Sequence, residues 1–282
     1  MANRTVLITG ATGKQGGATL RHLAGQPGFK IHAMTRKPDS AAAKALAALG
    51  AEVVAGDLDD AASLERALVG VWGVFAVQNT WEAGVEKEEE QGKRLAKLAR
   101  DKGVQHFVYS SVGSAHKKTG IPHFENKFRV EQTVKALGFP SYTILRPVFF
   151  MENLTSPQSL HDDKLVSALK PGTQLQMIAT DDIGKFGAKA FLDSDRMKGA
   201  EVDIAGDAVT MPEAARALGS LVGKITYQAI PIEAVRQNSE DLALMLEWFD
   251  AVGYSADIPS LESKWGVRPL TLKEWIRTQS PQ

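Results

Sequence analysis

The 282-residue sequence contains no cysteine, no excess of charge of either sign and no long apolar run. The lack of cysteine excludes disulfide bonds, thiol catalysis and cysteine-ligated metal sites. Lysine and arginine together number 33, the same as aspartate and glutamate. The chain therefore lacks the basic excess that attracts nucleic acid or an anionic membrane, and we expect direct binding to neither.

Hydrophobic segments suited to a membrane or to export are also missing. No apolar stretch approaches the roughly 18 residues needed to cross a bilayer, and no signal-peptide region precedes the first apolar run at 5–9. These features predict a cytoplasmic protein. The length and the 44% hydrophobic content suffice for one large domain, or for a large and a small one.

The first half of the chain alternates short apolar runs with helical patterns. The apolar runs lack strict polar alternation, which is typical of parallel strands buried on both faces, and lie at 5–9, 30–35, 52–55, 73–77, 106–110 and 141–145. Helical patterns lie between them at 14–25, 39–49, 60–69, 84–103 and 123–137. This order predicts an α/β fold with a doubly wound, Rossmann-like parallel sheet.

A glycine-rich segment connects the first predicted strand to the first predicted helix. It spans 10–17 and reads GATGKQGG, a GxxGxxG spacing rather than the usual GxGxxG of dinucleotide-binding folds. Glycines let the backbone approach a pyrophosphate, and the first N–H groups of the following helix attract phosphate. We therefore expect a dinucleotide to be bound by Gly10, Thr12, Gly13, Lys14, Gln15 and Gly16.

The segment after the second predicted strand favours NADP(H) over NAD(H). NAD-binding folds usually place an acidic residue there to hold the ribose hydroxyls, but this chain has Arg36 and Lys37. A guanidinium pairs with a 2′-phosphate, which a carboxylate would repel. Lys14 adds a second cation in the glycine loop. The alternative is that Arg36 and Lys37 are ordinary surface charges.

Polar residues after the next two strands extend the predicted cofactor site. Asp57 and Leu58 follow the third strand, where a carboxylate can accept a hydrogen bond from the adenine amino group; alternatively, Asp57 caps the next turn. Gln78 and Asn79 follow the fourth strand, where they would flank the central sugars of the cofactor. We expect residues 1–147 to form the NADP(H)-binding domain.

The regular alternation ends after Arg146–Pro147. Beyond it, the sequence predicts helices at 182–193, 211–222, 231–250 and 271–279, and strands at 201–205 and 225–229. We expect residues 148–282 to form a smaller α+β region, interleaved with the first, that binds a substrate or a partner, or acts as a lid. Pro147 would turn the chain across the nicotinamide pocket and Phe149 would line it, although apolar packing explains Phe149 equally well.

Other polar segments receive structural assignments. The acidic run at 86–90 is expected to be a solvated helix face, because Glu89/Lys93 and Glu90/Arg94 are spaced i,i+4. Asp182 is expected to be the N-cap of a helix. The segment 161–163 lacks any supporting ligand spacing, so we expect no metal site.

Several motifs occur together over nearly the whole chain. They are GATGKQGG at 10–17, Thr35-Arg36, Gly56-Asp57, and the segments 75–79, 90–93, 123–127, 145–153, 182–184 and 270–275. In this combination the sequence resembles the NmrA-like family of atypical short-chain dehydrogenases/reductases. The resemblance implies a Rossmann-like fold and an NADP(H) cofactor. The family includes redox sensors or transcriptional co-regulators as well as reductases of quinones and phenylpropanoids, so chemistry does not follow from membership.

The catalytic residues usual in short-chain dehydrogenases are incomplete here. These enzymes use a serine with a tyrosine and lysine spaced YxxxK; the tyrosine exchanges a proton with substrate oxygen, and the lysine holds the nicotinamide ribose. In this chain the corresponding pair is His123 and Lys127, on one helix face, and the tyrosines lie elsewhere. Which hydroxyl would serve is open among Ser110, Ser111 and Ser114.

The roles of His123 and Lys127 remain open at this point. Lys127 would bind only the nicotinamide ribose, or His123 would replace the tyrosine as proton donor, because imidazole titrates near neutrality. The resemblance to phenylpropanoid reductases implies a third role, in which Lys127 is itself the acid/base. In a fourth interpretation the helix is an ordinary one, with His123 and Lys127 exposed.

Two functions follow from this combination of features. An intact cofactor apparatus beside a missing tyrosine favours an NADP(H)-sensing regulator that acts on a partner protein. The alternative is an NADPH-dependent reductase of a quinone or another small apolar carbonyl compound, because the cofactor supplies the hydride.

Overall fold

The computed structural model describes residues 3–279, apart from the side chains of residues 221 and 222. The strands in this part of the chain are β1 (Arg4–Ile8), β2 (Phe29–Thr35), β3 (Glu52–Ala55), β4 (Gly73–Ala76), β5 (His106–Ser110), β6 (Ser141–Pro147), β7 (Phe149–Phe150), β8 (Leu160–His161), β9 (Lys164–Ser167), β10 (Leu175–Ile178), β11 (Ala200–Ile204), β12 (Asp207–Val209) and β13 (Thr226–Ala229). The α-helices are α1 (Lys14–Leu23), α2 (Ala41–Ala48), α3 (Ala61–Ala67), α4 (Thr80–Ala83), α5 (Val85–Asp101), α6 (Pro122–Ala136), α7 (Thr180–Leu192), α8 (Met211–Val222), α9 (Ile232–Arg236), α10 (Glu240–Ala251), α11 (Ile258–Trp265) and α12 (Leu272–Thr278). Short 3₁₀ helices lie at Ala115–Lys117 and Met151–Thr155.

The largest sheet confirms the predicted α/β, Rossmann-like fold. Its strand order is β11-β6-β5-β4-β1-β2-β3. β1 pairs in parallel with β2 and β4, and parallel pairing continues from β2 to β3 and from β4 through β5 to β6. The winding direction of the chain therefore reverses between β1 and β4. In open parallel sheets, ligands bind at the carboxyl ends of the strands beside such a reversal.

The apolar runs of the first half form strands because both of their faces are covered. Every residue of β4 and β5 is buried, which explains why these runs show no polar alternation. The six strands predicted in this half are confirmed, and their ends agree with the predicted ranges to within two residues.

The chain is divided into two compact units. Among the described residues, the first unit takes in the chain up to Ser111, together with Asn126–Arg146 and Ile183–Val202. The second takes in Val112–Glu125, Pro147–Asp182 and the chain from Asp203 onward. Each unit is thus assembled from segments that are separated in sequence.

The core of the first unit combines the strands of the large sheet with helices α3, α5 and α6. Buried side chains of this core are Leu7, Leu64, Val74, Leu95, Ala99, Phe107, Tyr109, Val130 and Val134. Burying a side chain of this kind contributes roughly 1.5–3 kcal/mol, so this core holds the helices against the sheet that carries the glycine loop.

The second unit contains two small sheets, ordered β12-β10-β7 and β13-β9-β8. Its own core includes Met151, Leu175, Met177, Met211, Leu218, Phe249 and Trp275. Helices α8 and α12 each begin at a capping box, formed by Thr210 with Glu213 and by Thr271 with Glu274.

The predicted helix at 231–250 is wrong, because the structure has two helices there. Ser239 adopts an extended conformation, with φ −159°, and its side chain accepts a hydrogen bond from the N–H of Leu242. Ser239 is therefore the N-cap of α10, and α9 ends before it. The sequence analysis also omits α4, α11 and the short strands β7–β10 and β12, which are too short to show a periodic pattern.

Candidate functional site

The glycine-rich segment forms the turn from β1 to α1 in the first unit. Gly10 has a φ of +56°, and a Cβ atom at Gly16 would lie 2.4 Å from the carbonyl oxygen of Gly10, so the turn requires glycine at both positions. Gly13 is the N-cap of α1 and, having no side chain, leaves the first-turn N–H groups uncapped. Because Gly10, Thr12, Gly13 and Lys14 are exposed, this turn can receive a phosphate group.

Hydrogen bonds tie the end of β1 to the end of β4. The N–H of Thr9 donates to the carbonyl oxygen of Phe75 at 3.0 Å, and the N–H of Val77 donates to the Thr9 hydroxyl at 2.9 Å. These bonds hold the glycine turn beside the chain that follows β4. The predicted ligand-binding position at the winding reversal is therefore fixed by backbone contacts in the first unit.

Gln78, directly after this connection, has a buried amide with unsatisfied hydrogen-bonding capacity. Within the described residues neither its side-chain nitrogen nor its oxygen has a hydrogen-bond partner. A buried amide without hydrogen bonds destabilises the folded protein. A bound ligand or water that hydrogen-bonds to it removes this cost. Asn79 is exposed, and its side chain accepts a hydrogen bond from the N–H of Trp81 at 3.2 Å as the N-cap of α4.

The ends of β2 and β3 form an open cavity that contains two guanidinium groups. Its lining residues are Arg36, Ala55, Gly56, Asp57, Asp60, Ser63 and Arg66. Arg36 follows β2 as the sequence analysis describes, whereas Arg66, near the end of α3, is a residue that it misses. Arg36 also pairs with Glu82, with 2.5 Å between Nη2 and Oε1. This hydrogen bond and the Glu82 charge raise the pKa of Arg36.

The other predicted residues of this region have defined structural contacts. Asp57 accepts a hydrogen bond from the N–H of Asp59 at 2.9 Å, a local turn contact, while Asp60 is the N-cap of α3. The carbonyl oxygen of Leu58 accepts from Arg94 at 2.7 Å. Lys37 is exposed, and its N–H donates to the Thr35 hydroxyl.

Lys127 forms an ion pair with Glu88 inside the first unit. The Lys127 ammonium donates to Glu88 Oε1 at 2.6 Å, and the two side chains are 12% and 1% exposed. The second carboxylate oxygen of Glu88 accepts from the Thr80 hydroxyl and from the Asn126 amide. The interpretation of the acidic run as a solvated face is therefore wrong for Glu88. The expected i,i+4 pair of Glu89 with Lys93 is present, although the Glu89 side chain is only 16% exposed.

The ion pair fixes the charge of both partners. Burial would raise the pKa of Glu88, but the charge of Lys127 and hydrogen bonds from Lys127, Thr80 and Asn126 lower it overall. The carboxylate is therefore ionised at neutral pH, and it holds Lys127 as a fixed ammonium group. An ammonium group held in this position can donate hydrogen bonds to ribose hydroxyls.

Tyr109 does not replace the missing catalytic tyrosine. It belongs to β5 in the first unit, and its ring is fully buried. Burial and the nearby carboxylates of Glu88, Glu131 and Glu89 raise the pKa of Tyr109 well above its usual value. Its hydroxyl has no hydrogen-bond partner among residues 3–279.

The candidate serines fall into different surroundings. Ser110 donates to the side-chain oxygen of Gln15 at 2.5 Å, which anchors the start of α1 to the end of β5. Ser111 donates to Glu131, a buried carboxylate that also pairs with Arg146. Ser114 lies in the second unit with a positive φ of 61°, and its buried hydroxyl has no partner in the described part of the chain.

His123 lies in the second unit and contacts an aspartate that the sequence analysis misses. Asp241, in the first turn of α10, accepts hydrogen bonds from the His123 ring through Nδ1 and from the His123 backbone N–H at 3.0 Å. The side chain of His123 is 8% exposed. The interpretation of an ordinary helix with exposed His123 and Lys127 is therefore wrong: helix α6 carries both residues in buried ionic contacts.

The remaining predicted residues also lie in the second unit. Pro147 is buried at the end of β6, and Phe149 forms part of β7, which pairs with β10. Phe149 packs against the core of this unit. The structure shows this apolar packing for Phe149.

The N-cap assigned to Asp182 is wrong. Helix α7 begins at Thr180, two residues earlier, and the Thr180 N–H donates to Glu152 at 2.9 Å. Asp182 instead accepts a hydrogen bond from the N–H of Leu270 at 2.7 Å. Glu152, from a segment before β8, thus caps the start of α7 in place of Asp182, and local sequence patterns do not indicate this contact.

Residues 3–279 contain no group of three or more histidine, cysteine, aspartate or glutamate side chains placed to hold a metal ion. The same residues include no helix that is both long enough and apolar enough to span a bilayer.

The first unit fits the dinucleotide implied by the family resemblance. The exposed turn at Gly10–Lys14 fits a pyrophosphate, the cavity with Arg36 and Arg66 fits an adenosine phosphate, and the unsatisfied amide of Gln78 fits the sugars between them. Apart from Arg66, which lies on α3, these groups come from three loops at the carboxyl ends of β1, β2 and β4.

Comparison with known proteins identifies the family. A sequence model of the NmrA-like family matches residues 2–280. An NmrA-like family domain-containing protein of Dictyostelium discoideum is 29% identical over 269 residues, which cover 89% of each chain. The NmrA-like family domain-containing oxidoreductase FrzB of Cladobotryum sp is 34% identical over 163 residues, 54% of this chain and 48% of that protein. The match therefore spans about half the length of that relative.

Solved structures share the fold over nearly the whole chain. The NADPH-dependent quinone oxidoreductase QOR2 of Escherichia coli, solved with NADPH, is 26% identical with a TM-score of 0.80, covering 97% of this chain and 98% of that one. NmrA, a negative transcriptional regulator, has been solved with NAD and with NADP. The complex with NAD is 20% identical with a TM-score of 0.81, covering 100% of this chain and 96% of the other, and shows the shared fold. The chain described here belongs to the NmrA-like family.

Proposed function

We propose that the first unit binds NADP(H) and that the protein uses it to reduce a small apolar carbonyl compound, such as a quinone. The observation that carries this proposal is the combination, in one unit, of an uncapped glycine turn, a cavity with two guanidinium groups and a buried ammonium group. These are the groups needed to bind a pyrophosphate, a 2′-phosphate and a ribose, in that order.

Each part of the cofactor is assigned to residues of this chain. The phosphates are assigned to the turn formed by Gly10, Thr12, Gly13, Lys14, Gln15 and Gly16, and the adenosine end to Arg36, Lys37, Asp57 and Leu58. The sugars are assigned to Gln78, Asn79 and Lys127, and the nicotinamide to Pro147 and Phe149. When bound, the cofactor supplies a hydride, which with one proton reduces a quinone to a hydroquinone. Lys127, held by Glu88, orients the ribose as a fixed cation.

The proton is assigned to His123. Asp241 contacts the ring at Nδ1 and orients it, as a carboxylate orients the histidine of a catalytic His–Asp pair. Lys127 is assigned to the ribose instead, because its ammonium group is tied to the buried carboxylate of Glu88 at 2.6 Å. The E. coli quinone oxidoreductase and the oxidoreductases among the fungal relatives support the reductase assignment.

A second candidate function is a redox-sensing regulator that responds to NADP(H). The specific observation in its favour is that histidine stands where the tyrosine would be, while the Lys127 ammonium group is paired with the carboxylate of Glu88. A regulator of this kind requires a partner protein whose binding differs between the cofactor-bound and free states. The two functions share the same cofactor site and differ in turnover.

The division of roles between 1–147 and 148–282, and a cytoplasmic location, remain predictions.

Cofactor preference can be tested with Arg36→Ala and the control Lys44→Ala, which removes an exposed charge from α2. We expect wild type to bind NADPH more tightly than NADH, measured by nicotinamide fluorescence. Arg36→Ala should weaken NADPH binding roughly tenfold, the loss of a charge-assisted pair, and leave NADH binding and the control nearly unchanged. Equal affinities of wild type for the two cofactors would contradict the preference.

A further inference from the structure

The adenosine end of the proposed site contains a carboxylate that does not come from the chain after β2. The residues that follow β2 include no acid before Asp39, yet Glu82, from helix α4 after β4, reaches Arg36. Glu82 Oε1 lies 2.5 Å from Arg36 Nη2, and the two side chains are 53% and 59% exposed. The guanidinium predicted to recognise a 2′-phosphate is therefore already paired with an anion.

The short helix that carries Glu82 is anchored at its first turn. The Asn79 side chain caps it, and the Thr80 hydroxyl donates to the buried carboxylate of Glu88, which in turn holds Lys127. Glu82 is thus presented from a segment fixed to the first unit at two points. Its position opposite Arg36 follows from these contacts as well as from charge attraction.

We propose that Glu82 is a specificity-determining residue, which lowers the preference for NADP(H) over NAD(H) by competing with the 2′-phosphate for Arg36. This inference rests on the proposed binding of NADP(H) in the first unit. A 2′-phosphate carries a charge of about −1.5 to −2 at neutral pH. It must displace Glu82 from Arg36 and then lie close to the displaced carboxylate. NAD(H) has no such phosphate and leaves the pair intact.

The other charges at this position act in both directions. Asp57 and Asp60 line the cavity with Arg36 and Arg66, so without Glu82 the two acids and the two bases balance. Asp59 lies close enough to Arg36 to influence it electrostatically, together with Asp57. Asp59 is itself paired with Lys87 at 2.8 Å, so Glu82 adds one negative charge to an otherwise balanced set around the guanidinium that would bind the phosphate. Removing this one charge should selectively favour the nucleotide that carries the additional 2′-phosphate, which is NADP(H).

The test compares Glu82→Gln with Glu86→Gln, which removes the same charge from an exposed position in the next helix. Dissociation constants for NADPH and NADH are measured by nicotinamide fluorescence. We expect Glu82→Gln to bind NADPH roughly threefold to tenfold more tightly and NADH within about twofold of wild type, with little effect of Glu86→Gln. The gain should shrink in high salt, because exposed charges are screened.

A double variant establishes whether Glu82 acts through Arg36. In an Arg36→Ala background, Glu82→Gln should no longer improve NADPH binding. An equal gain for both cofactors, an equal gain in Glu86→Gln or a gain that persists without Arg36 would overturn the inference while leaving the cofactor site in place. If wild type bound neither nucleotide, the proposed function itself would fail, and this inference with it.

Discussion

Burial keeps the imidazole ring of His106 uncharged. It lies in β5, with its ring stacked on Trp72 at 5.8 Å and edge-on to Phe191 at 5.6 Å, and its Nδ1 is 2.7 Å from the Ser141 hydroxyl. Burial lowers the pKa of His106 to about 4. The folded protein therefore keeps this imidazole neutral at pH values where the unfolded chain protonates it.

The consequence is a loss of stability on mild acidification. Because the folded pKa is below the unfolded value of 6.5, the stabilisation is complete above pH 6.5 and is lost as the pH falls from 6.5 towards 4. The shift corresponds to about 3 kcal/mol. We expect His106→Phe, which keeps the stacked ring, to flatten this part of the curve when urea unfolding is measured at pH 7.5, 6, 5 and 4.5. An unchanged slope in the variant would assign the acid sensitivity to other groups.

At the residue scale, the sequence indicates the glycine turn and Arg36, whose roles as cofactor ligands stay predictions, and it is misleading at Glu88. The glycine turn and Arg36 were identifiable because their positions after strands have a chemical meaning. Glu88 was assigned to a solvated face, yet the buried residues of α5 include Gln91, Gly92 and Leu95, which continue the helical spacing from Glu88. This periodicity indicates that Glu88 faces the core. Lys127, the partner of Glu88, lies 39 positions further along the chain, and spacing does not reveal it.

At the scale of elements, the Glu88–Lys127 pair joins helices α5 and α6 within the first unit. Removing one partner of a buried pair leaves the other charge without compensation, which costs about 3 kcal/mol. We expect Glu88→Gln and Lys127→Met each to lower the free energy of unfolding by roughly this amount. The double variant should lose less than the sum, with a coupling of about 1–3 kcal/mol.

Urea unfolding of the four proteins at neutral pH measures this coupling. Lys135→Met is a suitable control, because Lys135 lies on the same helix and pairs with Glu201 at 3.0 Å with 28% of its side chain exposed. An exposed pair of this kind contributes about 0–1 kcal/mol. Additive losses for Glu88 and Lys127 would show that the two residues stabilise the helices independently.

The elements of the first half were more predictable than those of the second. Buried parallel strands give continuous apolar runs, and their crossover helices are long enough to show a period. In the second unit, strands such as β7 and β8 have two residues each, which no periodicity can reveal. The break at Ser239 did carry a local signal, a serine followed by two acidic residues, which is typical of a helix start.

At the scale of the whole molecule, the cofactor site is assembled from groups that sequence places far apart. The topology places the glycine turn, Arg36 and Gln78 of the proposed cofactor site along one edge of the sheet, since the carboxyl ends of neighbouring parallel strands share that edge. It does not predict the carboxylates of Glu82 and Glu88, which follow β4 and contact Arg36 and Lys127. The sequence therefore predicts Arg36 and Lys127, and the structure adds Arg66 and the carboxylates that pair with the two predicted cations.

The central claim is that this protein uses bound NADPH to reduce a small acceptor, and one assay tests it directly. NADPH oxidation is followed by absorbance with and without a benzoquinone, while nicotinamide fluorescence reports binding in the same samples, for wild type, Lys127→Met and Lys135→Met. We predict oxidation that requires the quinone, falls at least about tenfold in Lys127→Met and persists in Lys135→Met. Binding without oxidation would favour the regulator instead, and an absence of NADPH binding by wild type would contradict the account.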